Sequence, residues 1–309
     1  MPDIKQSVLE LIGDTPLVAL NRMVQARGLD ISLLGKLESM NPGGSVKDRI
    51  AYAMLQDAEE RGLIGAGSVI IEPTSGNTGV GLAVAAAVLG YRVILTMPET
   101  MSVERRMLFQ AYGAEVVLTE GALGMRGAIE KAEALAKETP NSFVPGQFTN
   151  AANPSVHRRT TGPELYCQTG GQLDILVAGV GSGGTITGAG EYLKSRIPHL
   201  RVVAVEPKDS PVLSEGRSGM HPLQGLGAGF VPKVLNTGIY DEIFLVSGQD
   251  AFAIGRELAR REGLLCGISS GAAVHAALTI GARPENRGKV IAAILPDTGE
   301  RYLSSNLFV

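Results

Sequence analysis

"SVIIEPTSGNTGVGLAVAAAVLGYRVILT", Ser68 to Thr96, decides the fold. It opens on "SVIIE" and closes on "RVILT", two short runs whose apolar residues are continuous rather than alternating, the pattern of strands buried on both faces. Between them, "GVGLAVAAAVLG" (Gly79 to Gly90) is apolar on every side and reads as a buried helix over 79–89. It falls well short of the roughly 20 residues needed to span a bilayer. Strand, helix and strand in this order make a parallel βαβ unit.

The alternation extends outward from this unit. Strand runs recur at "EVVLT" (115–119), "DILVAG" (174–179), "RVVAVE" (201–206) and "KVIAAIL" (289–295). Helical patterns cover 102–112, with Ser102 as N-cap, then 125–138, 184–195 and 249–262. The expected fold is α/β, with mostly parallel sheets flanked by helices. A chain of 309 residues that is 44% hydrophobic can fill two domains. "VPGQFTNAANPS", Val144 to Ser155, interrupts the alternation and marks the boundary between an N-terminal domain, 1–150, and a C-terminal one, 151–309. There is no internal repeat and no low-complexity tract.

Composition narrows the partners. A formal charge of −3 gives no basic excess for phosphate backbones, so no nucleic acid is expected, and no membrane either. The opening "MPDIKQSVLELIGDTP" lacks a basic region followed by a long apolar one, so no secretory signal is expected. Cys167 and Cys266 lie far apart and form no CxxC pair, which argues against structural zinc and a disulfide framework and fits a reducing cytoplasm. His157, His199, His221 and His275 show no ligand spacing, so no metal site is expected.

Three glycine-rich turns border these elements. In "GVGSGGTITG", Gly179, Gly181 and Gly184 match GxGxxG after a strand, and Glu206 ends the next strand 22 residues on (206 − 184). That is the spacing of a dinucleotide's ribose-binding acid, but any phosphate cradled at a helix start wants the same glycines. "EPTSGNTG" offers Thr74, Ser75, Asn77 and Thr78 within five positions. One N-cap needs one such residue, so the surplus suggests a carboxylate or oxyanion site. "CGISSGAAV" pairs Ser269 with Ser270 at the start of a helix and by itself reads as a cap. In "NPGGSVKDRI", Asn41 to Ile50, Lys47 falls in a helical first turn. These ten residues alone make it a solvent-facing charge, with Asp48 and Arg49 an ion pair bracing the segment.

Taken together, "NPGGSVKDR", "PTSGNTG", "QFTNAANPSVHRRTTGPE", "GVGSGGT", "GISSGAA" and "LPDTGERYLS" resemble, in order and spacing, the cysteine synthases (O-acetylserine sulfhydrylases). Those enzymes belong to the pyridoxal-phosphate fold type II group, which is tryptophan-synthase-β-like. "MPETMSVERRMLFQAYGAEVVLT" resembles the sulfide-using branch. One departure is Ala151, where many relatives carry proline. The resemblance implies pyridoxal 5'-phosphate as cofactor, joined to Lys47 as a Schiff base. It assigns the phosphate to Gly181, Ser182, Gly183, Gly184 and Thr185, which displaces the dinucleotide reading. It also assigns the ring oxygen to Asn77 and the pyridine nitrogen to Ser269. The substrate carboxylate goes to Thr74, Ser75, Gly76, Thr78 and Gln147.

The resemblance further implies that residues 13–40 cross to the second domain and that the active site lies in the cleft between the two. The implied reaction turns O-acetyl-L-serine and sulfide into L-cysteine and acetate through an α-aminoacrylate. Lys47 is both the cofactor's anchor and the base that moves the α-proton. A cytoplasmic homodimer, able to receive the C-terminal tail of serine acetyltransferase, is implied as well. The alternatives are a cystathionine β-synthase-type condensation of serine with homocysteine, a thiosulfate-using cysteine synthase, and a non-catalytic binding relative. The first is weakened because neither a haem-binding extension nor a regulatory module is seen, and the last because the lysine and loops are intact. Asp297 is either a cap or a neighbour of the ring.

Overall fold

The continuous apolar runs form the inner strands of two separate sheets in a computed structural model that describes residues 4–308. Met1, Pro2 and Asp3 of the opening stretch, and Val309, lie outside the described residues. Ten strands occur among those described: β1 (Leu17–Ala19), β2 (Ser32–Leu37), β3 (Val69–Pro73), β4 (Arg92–Pro98), β5 (Glu115–Thr119), β6 (Ser142–Phe143), β7 (Ile175–Gly179), β8 (Arg201–Pro207), β9 (Glu242–Val246) and β10 (Val290–Leu295). The chain divides into two compact units. The first holds the stretch up to Ile12 together with Asn41–Asn153, and the second holds Gly13–Met40 and the chain from Pro154 onward.

In the first unit the sheet order is β5-β4-β3-β6, with every pairing parallel. Ile70 on β3 and Val93 and Leu95 on β4 face the helices Lys47–Glu60 and Asn77–Leu89, packing with Ala51, Leu55, Leu82 and Phe109. Their neighbours Val69, Ile71 and Ile94 face the other way, onto Ala132 of the helix Gly124–Glu138. A strand sandwiched like this has no polar face, which is why its sequence does not alternate.

The second unit carries a six-stranded sheet in the order β1-β2-β10-β7-β8-β9, in which only β1 runs antiparallel. Successive residues again serve opposite cores. Val177, Val203, Val205 and Ile291 pack with the helices Gly248–Glu262 and Ile268–Gly281, while Leu176, Ala178, Val202 and Ile294 pack with the helix Gly184–Arg196. Residues 13–40 join this unit through β2, which pairs in parallel with β10. Lys36 of β2 is 0% exposed; its Nζ donates to Thr15 O at 2.6 Å and Gln168 Oε1 at 2.9 Å and pairs with Glu164 at 2.7 Å. A buried ammonium is tolerable only with such a set of partners.

Strand and helix ends fall within a residue or two of the sequence expectations. Ser102 does occupy an N-cap position, for the helix Val103–Ala111, but its hydroxyl makes no cap bond. Strands β1, β2, β6 and β9 and the helices Ala152–Arg159 and Thr161–Gln168 have no counterpart in the sequence reading. β2 carries Gly35 and Lys36, which breaks the apolar run, although a Cβ on Gly35 would fall 2.8 Å from Leu295 Cδ1. β9 is an edge strand with a mostly half-buried pattern. Among the described residues no helix is long and apolar enough to cross a membrane.

A close helix contact gives a stability test. A Cβ on Gly271 would fall 2.1 Å from Ala251 O of the neighbouring helix, whereas one on Gly65 would meet nothing within 4 Å. Gly271→Ala is expected to destabilise by about 1–3 kcal/mol in urea titration. Gly65→Ala is expected to leave the midpoint nearly unchanged.

Candidate functional site

In the first unit, the turn before Lys47 closes with Gly44 N donating to Asn41 O at 2.7 Å, Gly44 lying at φ +76. Asp48, buried, folds back to accept from Gly43 N at 2.5 Å through Oδ2, and a Cβ on Gly43 would fall 2.6 Å from Asp48 Oδ1. Asp48 therefore fixes the turn itself. Lys47 is half-buried at the first position of its helix, and its N–H donates to Ser45 Oγ at 3.2 Å. Its carbonyl lies against the helix Asn77–Leu89, where a Cβ on Gly81 would fall 2.9 Å from Lys47 O.

That second helix opens at Gly76 with no side-chain cap. The surplus of capping residues in "EPTSGNTG" is spent elsewhere. Thr74 Oγ1 accepts from Gly76 N at 3.2 Å, and Thr78 Oγ1 donates to Gln147 Oε1 at 2.7 Å. Ser75, Gly76 and Asn77 are half-buried. Arg105, on the helix Val103–Ala111, donates to Ser75 O at 2.7 Å. Gln147 is thus drawn to the Thr74–Thr78 loop, and Lys47 lies on the helix packed beside it. The helix dipole and N–H groups at an uncapped start favour an anion.

In the second unit, the loop Gly181–Thr185 leads from β7 into the helix Gly184–Arg196. Gly183, its N-cap at φ +82, supplies no side-chain cap. A Cβ on Gly181 would fall 2.4 Å from Gly225 O, so the loop tolerates no side chain there. Gly227 N donates to Val180 O at 2.9 Å, fixing the same approach. An uncapped helix start with hydroxyls at Ser182 and Thr185 fits a phosphate monoester. Glu206, by contrast, is spent: its carboxylate accepts from Leu213 N at 2.8 Å, Ser214 N at 3.0 Å and Ser214 Oγ at 2.6 Å. It caps a short turn, so the ribose-binding half of a dinucleotide site is missing.

The paired serines face different surroundings. Ser269 Oγ lies 4.0 Å from where a Cβ on Gly225 would stand, on the side of the glycine loop. Ser270 faces Cys266. Their helix starts at Gly267 without a side-chain cap, and Gly267 N donates to Asp297 O at 3.1 Å. The Asp297 side chain accepts from Tyr302 Oη at 2.7 Å, while Thr298 caps the turn that follows. Asp297 thus braces the start of the helix that carries Ser269.

His157, given no role in the sequence reading, lies between Thr161 Oγ1 at 2.8 Å and Thr185 Oγ1 at 3.2 Å. It orients a hydroxyl of the glycine loop. Gly225 was missed too, and no local pattern marks either residue. His199 pairs weakly with Asp174 at 3.5 Å, and His221 Nε2 lies 3.3 Å from Gly227 O. Among the described residues no cluster could hold a metal.

Comparison with known proteins bears on these loops. The family model described as pyridoxal-phosphate dependent enzyme matches residues 8–297. A cysteine synthase of Staphylococcus aureus (strain Mu50) is 53% identical over 303 residues, 98% of this chain and 96% of that protein. The crystal structure of a cysteine synthase from Entamoeba histolytica superposes with a TM-score of 0.96 at 44% identity, covering 99% of this chain and 91% of that one. A hydrogen sulfide-producing enzyme from Fusobacterium nucleatum does so with a TM-score of 0.93 at 44% identity, covering 97% and 100%.

The cysteines give a direct test of the second unit's packing. Cys266 is buried, and burial together with the Asp297 carboxylate pushes its thiol up to about 12, whereas Cys167 is exposed. A thiol reagent at pH 8 should therefore titrate one thiol in the native protein and two after denaturation. Rapid reaction of both in the native protein would contradict the burial of Cys266.

Proposed function

The chain belongs to the pyridoxal-phosphate-dependent enzyme family, and from that premise we propose that it makes L-cysteine and acetate from O-acetyl-L-serine and sulfide by β-replacement. The observation that carries the reading is the first unit's arrangement. Lys47 and Asn77 each open one of two helices in backbone contact, and Gln147 is hydrogen-bonded to Thr78 beside the uncapped loop. The identity to a cysteine synthase over nearly the whole chain supports the choice of substrates.

When bound, pyridoxal phosphate supplies an aldehyde carbon for amine capture and a ring that withdraws electrons from the amino acid's α-carbon. Lys47 would hold it by covalent attachment and Asn77 would contact the ring. The loop Gly181, Ser182, Gly183, Gly184 and Thr185 would take the phosphate. Ser269 would meet the pyridine nitrogen. Thr74, Ser75, Gly76, Thr78 and Gln147 bind the carboxylate of O-acetylserine and so orient its α-C–H bond towards Lys47. The Lys47 amine, freed when substrate takes its place, removes the α-proton. Acetate leaves from the β-carbon, sulfide adds there, and Lys47 returns the proton to the α-carbon. The Ser269 hydroxyl would bring no negative charge to the ring nitrogen, which would favour prompt loss of acetate. On this reading the protein works as a cytoplasmic homodimer, and the carboxylate loop would also receive the C-terminal carboxylate of serine acetyltransferase.

A product assay with O-acetylserine tests the reaction: sulfide should give cysteine at a rate well above thiosulfate or homocysteine as acceptor. Faster turnover of serine with homocysteine would overturn the reading. Ser269→Asp should raise the ring nitrogen's proton affinity by charge pairing, slow acetate release and build a long-wavelength absorbance band after mixing with O-acetylserine. Ser269→Ala should cost only about 1 kcal/mol of lost hydrogen bonding. Changes at Ser270, which faces Cys266, should alter stability alone. A ring spectrum changed by Ser270→Asp and untouched by Ser269→Asp would put the wrong serine against the cofactor.

A further inference from the structure

Glu72 stands near the end of β3, two residues before Thr74, and is 2% exposed. Its carboxylate accepts from two consecutive backbone donors, Gly146 N to Oε2 at 3.0 Å and Gln147 N to Oε1 at 3.4 Å. Both of these donors are neutral backbone groups. The segment 144–150 and β6 contain no charged residue, and the only one on β4 is the exposed Arg92 at its far end. Glu72 shares its face of β3 with Ile70, on the side of the helices Lys47–Glu60 and Asn77–Leu89; the first of these carries Lys47, half-buried, and Asp48 and Arg49, buried, while the charged residues of the helix on the opposite face, Gly124–Glu138, are all exposed. Burial raises Glu72 to about 7 even against the two N–H bonds, which pull it down.

A buried carboxylate is costly, so its presence calls for a reason. Each of the two N–H groups meets its own carboxylate oxygen, and in a carboxamide one of those positions becomes an NH2 donor facing a donor. Gly146, at φ +70, turns the chain at this point. What the carboxylate grips is Gln147. That residue is held at its N–H by Glu72, at its carbonyl by Asn153 Nδ2 at 2.7 Å, and at its side chain by Thr78 Oγ1 at 2.7 Å. Glu72 and Thr78, on either side of the loop Thr74–Thr78, therefore fasten the same residue to that loop.

We propose that Glu72 is a positioning residue for substrate binding: its carboxylate fixes the backbone of Gln147 so that Gln147 can meet the substrate carboxylate, without touching substrate itself. This rests on the role given to Gln147 above.

The test is steady-state kinetics and absorbance of the holoenzyme carrying Glu72→Gln, Gln147→Ala and both. Glu72→Gln should leave the cofactor spectrum unchanged and kcat within about two-fold, while raising KM for O-acetylserine about ten-fold. The double variant should show the KM of Gln147→Ala alone, because both changes disable one contact. A purely structural role would lower the amount of active enzyme without moving KM. If Gln147→Ala leaves KM unchanged, the reading of Gln147 fails. If Gln147→Ala raises KM while Glu72→Gln does not, or if the two effects multiply, the role of Glu72 fails on its own. Should Glu72→Gln not fold, Glu72→Asp, which keeps the charge but shortens the reach to the Gly146 and Gln147 amides, gives the answer: a raised KM for O-acetylserine with the cofactor spectrum unchanged supports the role, and an unchanged KM overturns it.

Discussion

Gly81 has no side chain, and the helices Lys47–Glu60 and Asn77–Leu89 consequently meet backbone to side. A Cβ there would fall 2.9 Å from both Lys47 O and Ala51 Cβ. Two turns of helix are placed by this one contact: the one that starts with Lys47 and the one that starts with Asn77. Gly79 repeats the constraint on the next face, where a Cβ would fall 2.8 Å from the Phe109 ring and 2.9 Å from Thr74 Cγ2. Glycine inside a helix costs about 1 kcal/mol relative to alanine. That cost is accepted at the two positions where the lysine segment and the Thr74–Thr78 loop come close.

Side-chain caps are missing from the helices beginning at Asn77, Gly184 and Ile268, although serines and threonines stand beside each. The helix Gly248–Glu262 is capped by Ser247 accepting from Asp250 N, while Val103–Ala111, Gly124–Glu138 and Thr161–Gln168 also go without. A cap is worth about 1 kcal/mol, and its omission at Asn77 and Gly184 leaves N–H donors and the helix dipole available to an anion. Hydroxyls that could cap are turned to other tasks, as Thr78 is to Gln147 and Thr185 to His157. Stability yields locally where binding needs unspent hydrogen-bond donors.

Much of this was legible in the sequence, for stated physical reasons. The runs "SVIIE" and "RVILT" read as sandwiched strands because neither face of β3 or β4 meets water. β2 and β9 did not, since Lys36 and Gly35 interrupt the first and the second lies at a sheet edge. Lys47 was ambiguous from ten residues, and only its company with five other motifs made it stand out. The glycine loop by itself suggested a phosphate of open kind; the resemblance to the cysteine synthases displaced the dinucleotide reading, and Glu206, consumed by Leu213 and Ser214, agrees with that. Glu72, His157 and Gly225 act through partners far away in sequence, at Gln147, Thr185 and Gly181, and such pairings leave no spacing signal.

The central claim is that Lys47 carries the cofactor. Reducing the purified holoenzyme with borohydride, digesting it and mapping the modified peptide by mass tests that claim directly. The account predicts a pyridoxyl adduct on Lys47 and on no other lysine. An adduct on a different lysine, with the peptide around Lys47 unmodified, would contradict it.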